Sequence, residues 1–370
     1  MRTCCWIYNR ALEQRTKAYK RRKDSISLYD QCALLTEWRS RMNLVQKAPA
    51  QFARDALRRI DIAFQSFFRR CKSGEKPGYP RFKSFRRYNS LEIIAGSNYL
   101  KDSKCQIPKL GLVKFRAGNQ EIPPTQKLLR IIKRSNGWYG QVVVESEPKA
   151  LLLTGQKVGI DVGLNTFAAL SDGTKIANPR WARRSERKLR IAQRYLSRCK
   201  DKSRNRRKAV QRVQRVYAKV TAQRKNFCHQ ESRKIVNRFD LIAVEKLNIK
   251  GLVRTRMSKS ILDAGWGIFL NQLTYKAENA GKHIIEVDPS GTSQECPRCG
   301  QVKRKELSER IHSCTHCGLV LDRDVAASKV ILSRAVESNR SVTPSEGLAS
   351  TCGSRRRRAV SKTKAVLISN

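Results

Sequence analysis

The sequence predicts a multidomain α+β protein, and three changes of pattern along its 370 residues support that prediction. Apolar residues recur at helical spacing in residues 1–75. Short β-rich runs follow in residues 76–150, and strand and helix patterns then alternate around two cysteine pairs in residues 151–336. The hydrophobic fraction of 40% is sufficient for two or three domains with separate cores.

Residues 1–75 are predicted to form a helical lobe. Its clearest helix carries one apolar stripe at helical period, made of Phe52, Leu57, Ile60, Phe64, Phe67 and Phe68. The segment Lys76–Lys83 is not predicted to be helical, because it contains two prolines and a glycine. Its interleaved aromatic and basic residues fit a nucleic-acid contact by stacking and phosphate binding, or a structured linker.

Residues 76–150 are predicted to form a small β-barrel, because several short strand patterns follow one another at close spacing. The β-rich runs are Leu91–Ile94, Leu112–Phe115, Leu128–Ile132 and Gln141–Val144. Asn136 and Gly137 separate the last two runs, and this dipeptide is a strong signal for a tight hairpin.

The rest of the chain up to residue 336 is predicted to form an α/β unit. The predicted strands are Val158–Val162, Thr166–Leu170, Leu241–Glu245 and Lys282–Val287, and the predicted helices include Ile261–Ala280 and Val325–Val336. A basic insertion, residues 181–238, is predicted as two antiparallel helices that break near Asp201–Asn205. Residues 180–238 contain 22 Lys and Arg against three acidic residues. This excess favours a phosphate-binding surface over a solvated helix pair.

The net charge of +48 predicts a polyanionic partner, because 78 Lys and Arg against 30 Asp and Glu repel one another in a folded chain. Nucleic acid is the expected polyanion, and a membrane surface is the competing one. The sequence has no apolar run of about 18 residues that would span a bilayer. Its start does not resemble a signal peptide, so we expect a cytoplasmic, nucleoid-associated protein.

Two cysteine pairs predict a zinc ribbon. Cys296, Cys299, Cys314 and Cys317 follow the pattern C-x2-C-x14-C-x2-C, which supplies the four thiolates of a closed, structural zinc site. Gly300 and Gly318 each follow a pair and allow the tight turn that directs both sulfurs to one point. His312 and His316 are alternative ligands, but four thiolates already complete the site. The other eight cysteines are predicted to be free thiols.

Three carboxylates predict a second, catalytic metal site. Asp161 lies inside an apolar strand, Glu245 ends another, and Asp324 begins a helix seven residues after the last thiol. Taken singly, Asp324 fits a helix N-cap and Glu245 a solvated strand end. Together they form a cluster that needs cations to remain ionised, and hard oxygen ligands select Mg²⁺ or Mn²⁺. Two such ions are suited to phosphodiester hydrolysis, so the sequence predicts a nuclease.

Five segments together resemble the TnpB (OrfB) family of bacterial transposon proteins, which is related to compact type V CRISPR effectors. The segments are Gly159–Asn165, Val244–Leu252, Thr292–Gly300, Cys314–Gly318 and Leu321–Val325. The resemblance implies a RuvC-like nuclease domain of RNase H fold, with the zinc ribbon inserted before the third acid. It also implies a guide RNA made from the transposon end and cleavage of paired double-stranded DNA beside a short transposon-adjacent motif.

Motif by motif, the resemblance places the catalytic, magnesium-binding acids at Asp161, Glu245 and Asp324 and the zinc ligands at the four cysteines. The implied domains are a helical recognition lobe (1–75), a wedge-type barrel (76–150), the RuvC-like domain (151–290 and 321–336), the zinc ribbon (291–320) and a disordered basic tail (337–370).

Two departures from the family pattern leave alternatives open. Ala326–Ser328 stands where the family often has Asn-Ala-Ala, one residue beyond the third acid. Family members usually carry a first strand before the segment that resembles Cys5–Ala11, so we expect either a barrel that lacks this strand or a true start upstream. One alternative is a nuclease-inactive, nucleic-acid-binding regulator. Another is a transposase that itself joins DNA strands, since one fold serves both tasks.

Overall fold

The computed structural model describes residues 1–94, 100–101, 104–107, 109–116, 126–147, 150–306, 309–340 and 362–369. The chain divides into two units: Met1–Glu147 with Arg358–Asn370, and Pro148–Arg357. In the part that the structure describes, no helix is long and apolar enough to span a membrane.

The first unit begins with a helical cluster. Its helices are α1 (Arg2–Arg22), α2 (Leu28–Arg41), α3 (Asn43–Gln46) and α4 (Ala50–Lys72). The predicted apolar stripe lies on α4, and its Phe52, Leu57 and Ile60 are fully buried. The stripe ends at the surface, because Phe68 is 55% exposed. A short 3₁₀ turn, Phe85–Arg87, precedes the first strand.

Two antiparallel sheets follow in this unit. The first has the order β1-β5-β6-β14, with β1 at Ser90–Ile94, β5 at Leu128–Arg134, β6 at Gly137–Ser146 and β14 at Lys362–Ser369. The second joins β2 (Leu100–Lys101), β3 (Lys104–Ile107) and β4 (Gly111–Lys114). The predicted hairpin at Asn136 and Gly137 is confirmed, because β5 and β6 pair up to Arg134 opposite Gly137.

The C-terminal segment differs from the predicted disordered tail. The preceding helix continues to Arg340, and Lys362–Ser369 pairs with β6 from Lys362 opposite Ser146 to Ser369 opposite Tyr139. The apolar run Ala365–Ile368 supplies a strand for an edge of β6 that would otherwise stay open. Residues 341–361, with the four arginines at 355–358, lie outside the described part.

The second unit is built on one five-stranded sheet with the order β11-β10-β7-β8-β9. The strands are β7 (Lys157–Val162), β8 (Thr166–Leu170), β9 (Lys175–Ala177), β10 (Leu241–Glu245) and β11 (His283–Val287). β8 runs antiparallel to β7 and to β9, whereas β10 runs parallel to β7 and to β11. The short β9 was not predicted.

The helices of the second unit are α5 (Trp181–Ser197), α6 (Arg204–Arg238), α7 (Ile249–Leu252), α8 (Ser258–Ala264), α9 (Trp266–Ala280) and α10 (Arg323–Arg340). The predicted break in the basic insertion is confirmed at residues 198–203. The prediction of one helix over Ile261–Ala280 is wrong, because Gly265 has φ 76° and ends α8. A small hairpin, β12 (Ile311–Ser313) and β13 (Val320–Asp322), lies between β11 and α10.

The two faces of the five-stranded sheet carry different helices. Val158, Ile160, Ile242 and Val244 belong to the core that includes α6 and α9. On the opposite face, Ala243 packs with α10. Gly159 lies on this second face, and a Cβ there would be 2.0 Å from the backbone carbonyl oxygen of Ser328 in α10. The backbone of α10 therefore rests directly on β7.

Substitution of Gly159 by alanine should move α10 away from β7, because the added methyl group meets backbone atoms. We expect the free energy of unfolding to fall by about 1–3 kcal/mol. Gly267→Ala is the matched control, since its Cβ would meet only the Ile249 side chain at 3.6 Å. That helical change should be neutral or stabilising by up to about 1 kcal/mol. Equal effects of the two substitutions in chemical denaturation would contradict the close packing.

Candidate functional site

Asp161 and Glu245 lie side by side at one edge of the sheet. The parallel pairing of β7 with β10 runs from Lys157 opposite Leu241 to Ile160 opposite Val244, so each acid is one position beyond the last pair. Neighbouring strands are about 4.8 Å apart, and side chains alternate between faces. Both acids therefore project from the face that α10 covers.

Asp324 reaches the same edge from the first turn of α10. Asp322 supplies the helix cap, because its Oδ1 accepts hydrogen bonds from the amides of Asp324 (3.1 Å) and Val325 (3.3 Å). Lys175 of β9 pairs with the other carboxylate oxygen of Asp322 at 2.5 Å. The N-cap alternative for Asp324 is therefore wrong, because the side chain of Asp322 caps the helix.

The charges of Glu245 and Asp324 both act on Asp161. Burial, then the charges of Glu245 and Asp324, raise the pKa of Asp161 to about 7, against the opposing charge of Arg323. Burial also raises the pKa of Glu245, which the Thr292 hydroxyl and the charge of Arg334 oppose. Burial and the neighbouring acids therefore act in the same direction on the pKa of Asp161.

The donor chemistry of this acid cluster fits Mg²⁺ or Mn²⁺, because all three residues offer carboxylate oxygens. Across the described ranges, however, the group of metal-ligand atoms that all lie within 4.8 Å of one another is the four cysteines. The three carboxylates do not form such a group.

The four cysteines form a separate, tighter cluster. The Sγ atoms of Cys296 and Cys317 are 3.6 Å apart, as are those of Cys299 and Cys314. Tetrahedral zinc with Zn–S bonds of about 2.3 Å requires sulfurs about 3.8 Å apart, so the cluster fits zinc.

The two knuckles share one backbone geometry. In the first, the amide of Gly300 donates to the carbonyl of Cys296, and in the second the amide of Gly318 donates to the carbonyl of Cys314. The two glycines have φ of 74° and 71°, the left-handed region that the sequence predicted. Backbone amides of Cys317 and His316 lower the pKa of Cys314.

Neither histidine belongs to the cysteine cluster. His312 is 1% exposed, and its Nδ1 contacts Nζ of Lys305, while His316 is exposed. The described cysteines outside the cluster form no disulfide, as predicted.

Two residues beside the acid cluster were not predicted as site residues. Thr292 donates a hydrogen bond of 2.6 Å from Oγ1 to Oε1 of Glu245. Arg334 of α10 pairs with Glu295 at 2.7 Å and opposes the raised pKa of Glu245. Thr292 could have been found from the sequence, because it begins one of the five segments that resemble the family. No sequence pattern indicates Arg334, because its contact with the site depends on the packing of α10.

Comparison with known proteins identifies two matching families. The profile of the OrfB/IS605 family, described as "Probable transposase", matches residues 141–256. The profile described as "Cas12f1-like, TNB domain" matches residues 266–331, which include the four cysteines and Asp324.

Whole-chain relatives extend these matches. A protein of Streptomyces pristinaespiralis described as "Putative RNA-guided DNA endonuclease" is 31% identical over 347 residues, covering 90% of this chain and 84% of the relative. "Putative RNA-guided DNA endonuclease InsQ" of Escherichia coli (strain K12) is 25% identical over 350 residues, with 89% and 86% covered. A solved Cas12f1–sgRNA–target DNA complex aligns with TM-score 0.36 and 17% identity over 90% of this chain and 92% of that one.

The chain is thus a mixed α/β protein that carries a four-cysteine cluster of zinc-ribbon type. It belongs to the TnpB/OrfB family of transposon-encoded proteins, as the sequence motifs predicted.

Removal of one thiolate tests the zinc cluster. Cys314→Ser should lower the bound zinc, measured by elemental analysis, from about one ion per chain to well below one, because a closed site needs all four ligands. The region around Asp322 and Asp324 should then exchange amide hydrogens faster. Cys71→Ser, at an exposed cysteine outside the cluster, is the control. Unchanged zinc in the Cys314 variant would refute the ligand set.

The raised pKa of Asp161 predicts a pH-dependent stability. Between about pH 4 and pH 7 Asp161 binds more protons in the folded state than in the unfolded state, so without divalent cations its contribution to the free energy of unfolding falls as pH rises. Asp161→Asn should remove this penalty. It should stabilise the protein at pH 8 by up to about 4 kcal/mol, and have little effect near pH 4. Denaturation at both pH values measures the difference, and an equal effect at both would contradict the prediction.

Proposed function

We propose that this protein is an RNA-guided DNA endonuclease that cuts through a RuvC-like site. The observation that carries the proposal is the convergence of Asp161, Glu245 and Asp324 at one sheet edge, where Glu245 and Asp324 both raise the pKa of Asp161. A site that brings three acids together is suited to binding metal ions, because cations offset the mutual repulsion of the carboxylates.

The strand order supports a RuvC-like, RNase H-type domain. Numbered from β7, the sheet has the order 3-2-1-4-5, with the first three strands antiparallel and the last two parallel to the first. The first acid lies on the first strand, the second on the fourth, and the third on the helix that packs across both.

The proposed domains keep the boundaries predicted from the sequence. They are a recognition lobe (1–75), a wedge domain (76–150), the RuvC-like domain (151–290 and 321–336) with its basic insertion (181–238), and the zinc ribbon (291–320).

Asp161, Glu245 and Asp324 would hold Mg²⁺, or Mn²⁺ in its place. The bound ions would supply an activated water and stabilise the leaving oxygen of the phosphodiester. In this scheme Asp161 and Glu245 would hold both ions, and Asp324 would complete the second site. Asp161 is partly buried, which strengthens its attraction for cations.

Guide RNA and double-stranded DNA are the proposed partners. Two whole-chain relatives carry names that state RNA guidance and DNA cleavage, and the net charge of +48 favours a polyanionic partner. The basic insertion offers one contact surface, because no residue of α5 is buried. Phosphates along a nucleic acid would neutralise its cations.

Asp161→Ala should abolish Mg²⁺-dependent cleavage of guide-matched DNA while the protein still copurifies with its RNA. Asp172→Ala is the matched control, since Asp172 lies in the same unit and pairs with Arg238 at 3.1 Å, away from the acid cluster. The control should cut at a rate within about threefold of the wild type. Equal cleavage by the Asp161 variant would exclude this site.

Sequencing the copurified RNA tests guidance independently of chemistry. A discrete species ending in a variable guide supports the proposal. Strand-transfer products formed with no other transposon protein would instead favour the transposase alternative.

A further inference from the structure

Thr292 connects the second acid to the segment that leads into the zinc ribbon. The residue is 4% exposed, and its Oγ1 lies 2.6 Å from Oε1 of Glu245 and 3.2 Å from the carbonyl oxygen of Pro289. A hydroxyl carries one proton, and the shorter distance directs it to the carboxylate. Within the described part of the chain, the Thr292 hydrogen bond is made to Oε1 of Glu245, so its Oε2 is the oxygen that a cation would contact.

The segment that carries Thr292 is attached to α10 through one side chain. Arg334 donates to the carbonyl oxygens of Asp288 (3.1 Å) and Ser290 (2.7 Å) and pairs with Glu295 at 2.7 Å. These contacts hold the backbone on both sides of Thr292. Since α10 also carries Asp324, the third acid and the support of the second acid share one helix.

The zinc ribbon holds the same segment from its other side. Nζ of Lys305 donates to the carbonyl of Ser293 at 3.0 Å, and Glu295 forms an isolated β-bridge with Val302. The first zinc knuckle starts one residue later, at Cys296. Thr292 is thus fixed at the junction of ribbon, helix and sheet.

We propose that Thr292 is a positioning residue, which orients the Glu245 carboxylate through its hydroxyl so that Oε2 faces the catalytic cation. This inference rests on the proposed function. A carboxylate held by a donor on one oxygen loses little further freedom when a metal binds the other. Loss of such a support typically weakens metal binding by about 10- to 100-fold.

Two substitutions separate the hydroxyl from the shape of the side chain. Thr292→Val keeps the shape and removes the donor, and Thr292→Ser keeps the donor. The full-length protein with its copurified RNA is titrated with Fe²⁺ in ascorbate and peroxide. Backbone fragments ending near Asp161 and Glu245 are then quantified by mass spectrometry. This readout reports occupancy of the site without DNA cleavage.

We expect Thr292→Val to raise the Fe²⁺ concentration for half-maximal fragmentation at least about tenfold, and Thr292→Ser to stay within about twofold of wild type. The Mg²⁺ concentration that half-activates DNA cleavage should shift in parallel, with the maximal rate recovered at high Mg²⁺. A purely structural role would lower the maximal rate and leave the metal requirement unchanged.

Wild-type-like titration by Thr292→Val, at normal zinc content, would overturn the inference while leaving the endonuclease proposal intact. Absence of fragments near Asp161 in the wild type would overturn both, because the cation site itself would be missing.

Discussion

The contact between the backbones of α10 and β7 at Gly159 is the constraint on which the acid cluster depends. A Cβ at Gly159 would be 2.0 Å from the Ser328 carbonyl, so glycine sets the spacing of helix and sheet. Asp161 is two strand residues from Gly159, about 6.6 Å, and Asp324 is four helical residues from Ser328, about 6 Å. Because these two distances are nearly equal, Asp161 and Asp324 lie at a similar distance from the contact between Gly159 and Ser328.

Two arginines then limit the electrostatic cost of that arrangement. Arg323 opposes the raised pKa of Asp161, and Arg334 opposes that of Glu245. Both side chains also donate to backbone carbonyls of the segment between β11 and α10. Arg323 binds the carbonyls of Glu306 and Glu309, and Arg334 binds those of Asp288 and Ser290. Both arginines lie on α10. The helix that supplies the third acid therefore also holds the segment between β11 and α10, and it offsets the repulsion among the three carboxylates.

Local pattern was sufficient where the chain's own chemistry decides the structure. Buried parallel strands give continuous apolar runs, so the acid at Asp161 stood out, and the thiol spacing fixed the ribbon. The sequence pattern was insufficient for elements whose structure depends on contacts with distant parts of the chain. The three-residue β9 has little pattern of its own, and β14 depends on a pairing with β6 across more than 200 residues. The apolar period continues through Gly265, so only its positive φ reveals the break between α8 and α9.

The position of the four-cysteine cluster explains how a structural zinc ion there would matter to the proposed reaction without touching it. The two ends of the ribbon leave the sheet after β11 and enter α10, and each end supports one acid: Thr292 binds Glu245, and Asp322 caps the turn that carries Asp324. The four cysteines lie close together, and a zinc ion bound to them would close the intervening chain and restrict the separation of those ends. A ribbon inserted elsewhere in the fold would stabilise itself alone. Inserted here, its own folding restricts where the second and third acids can lie.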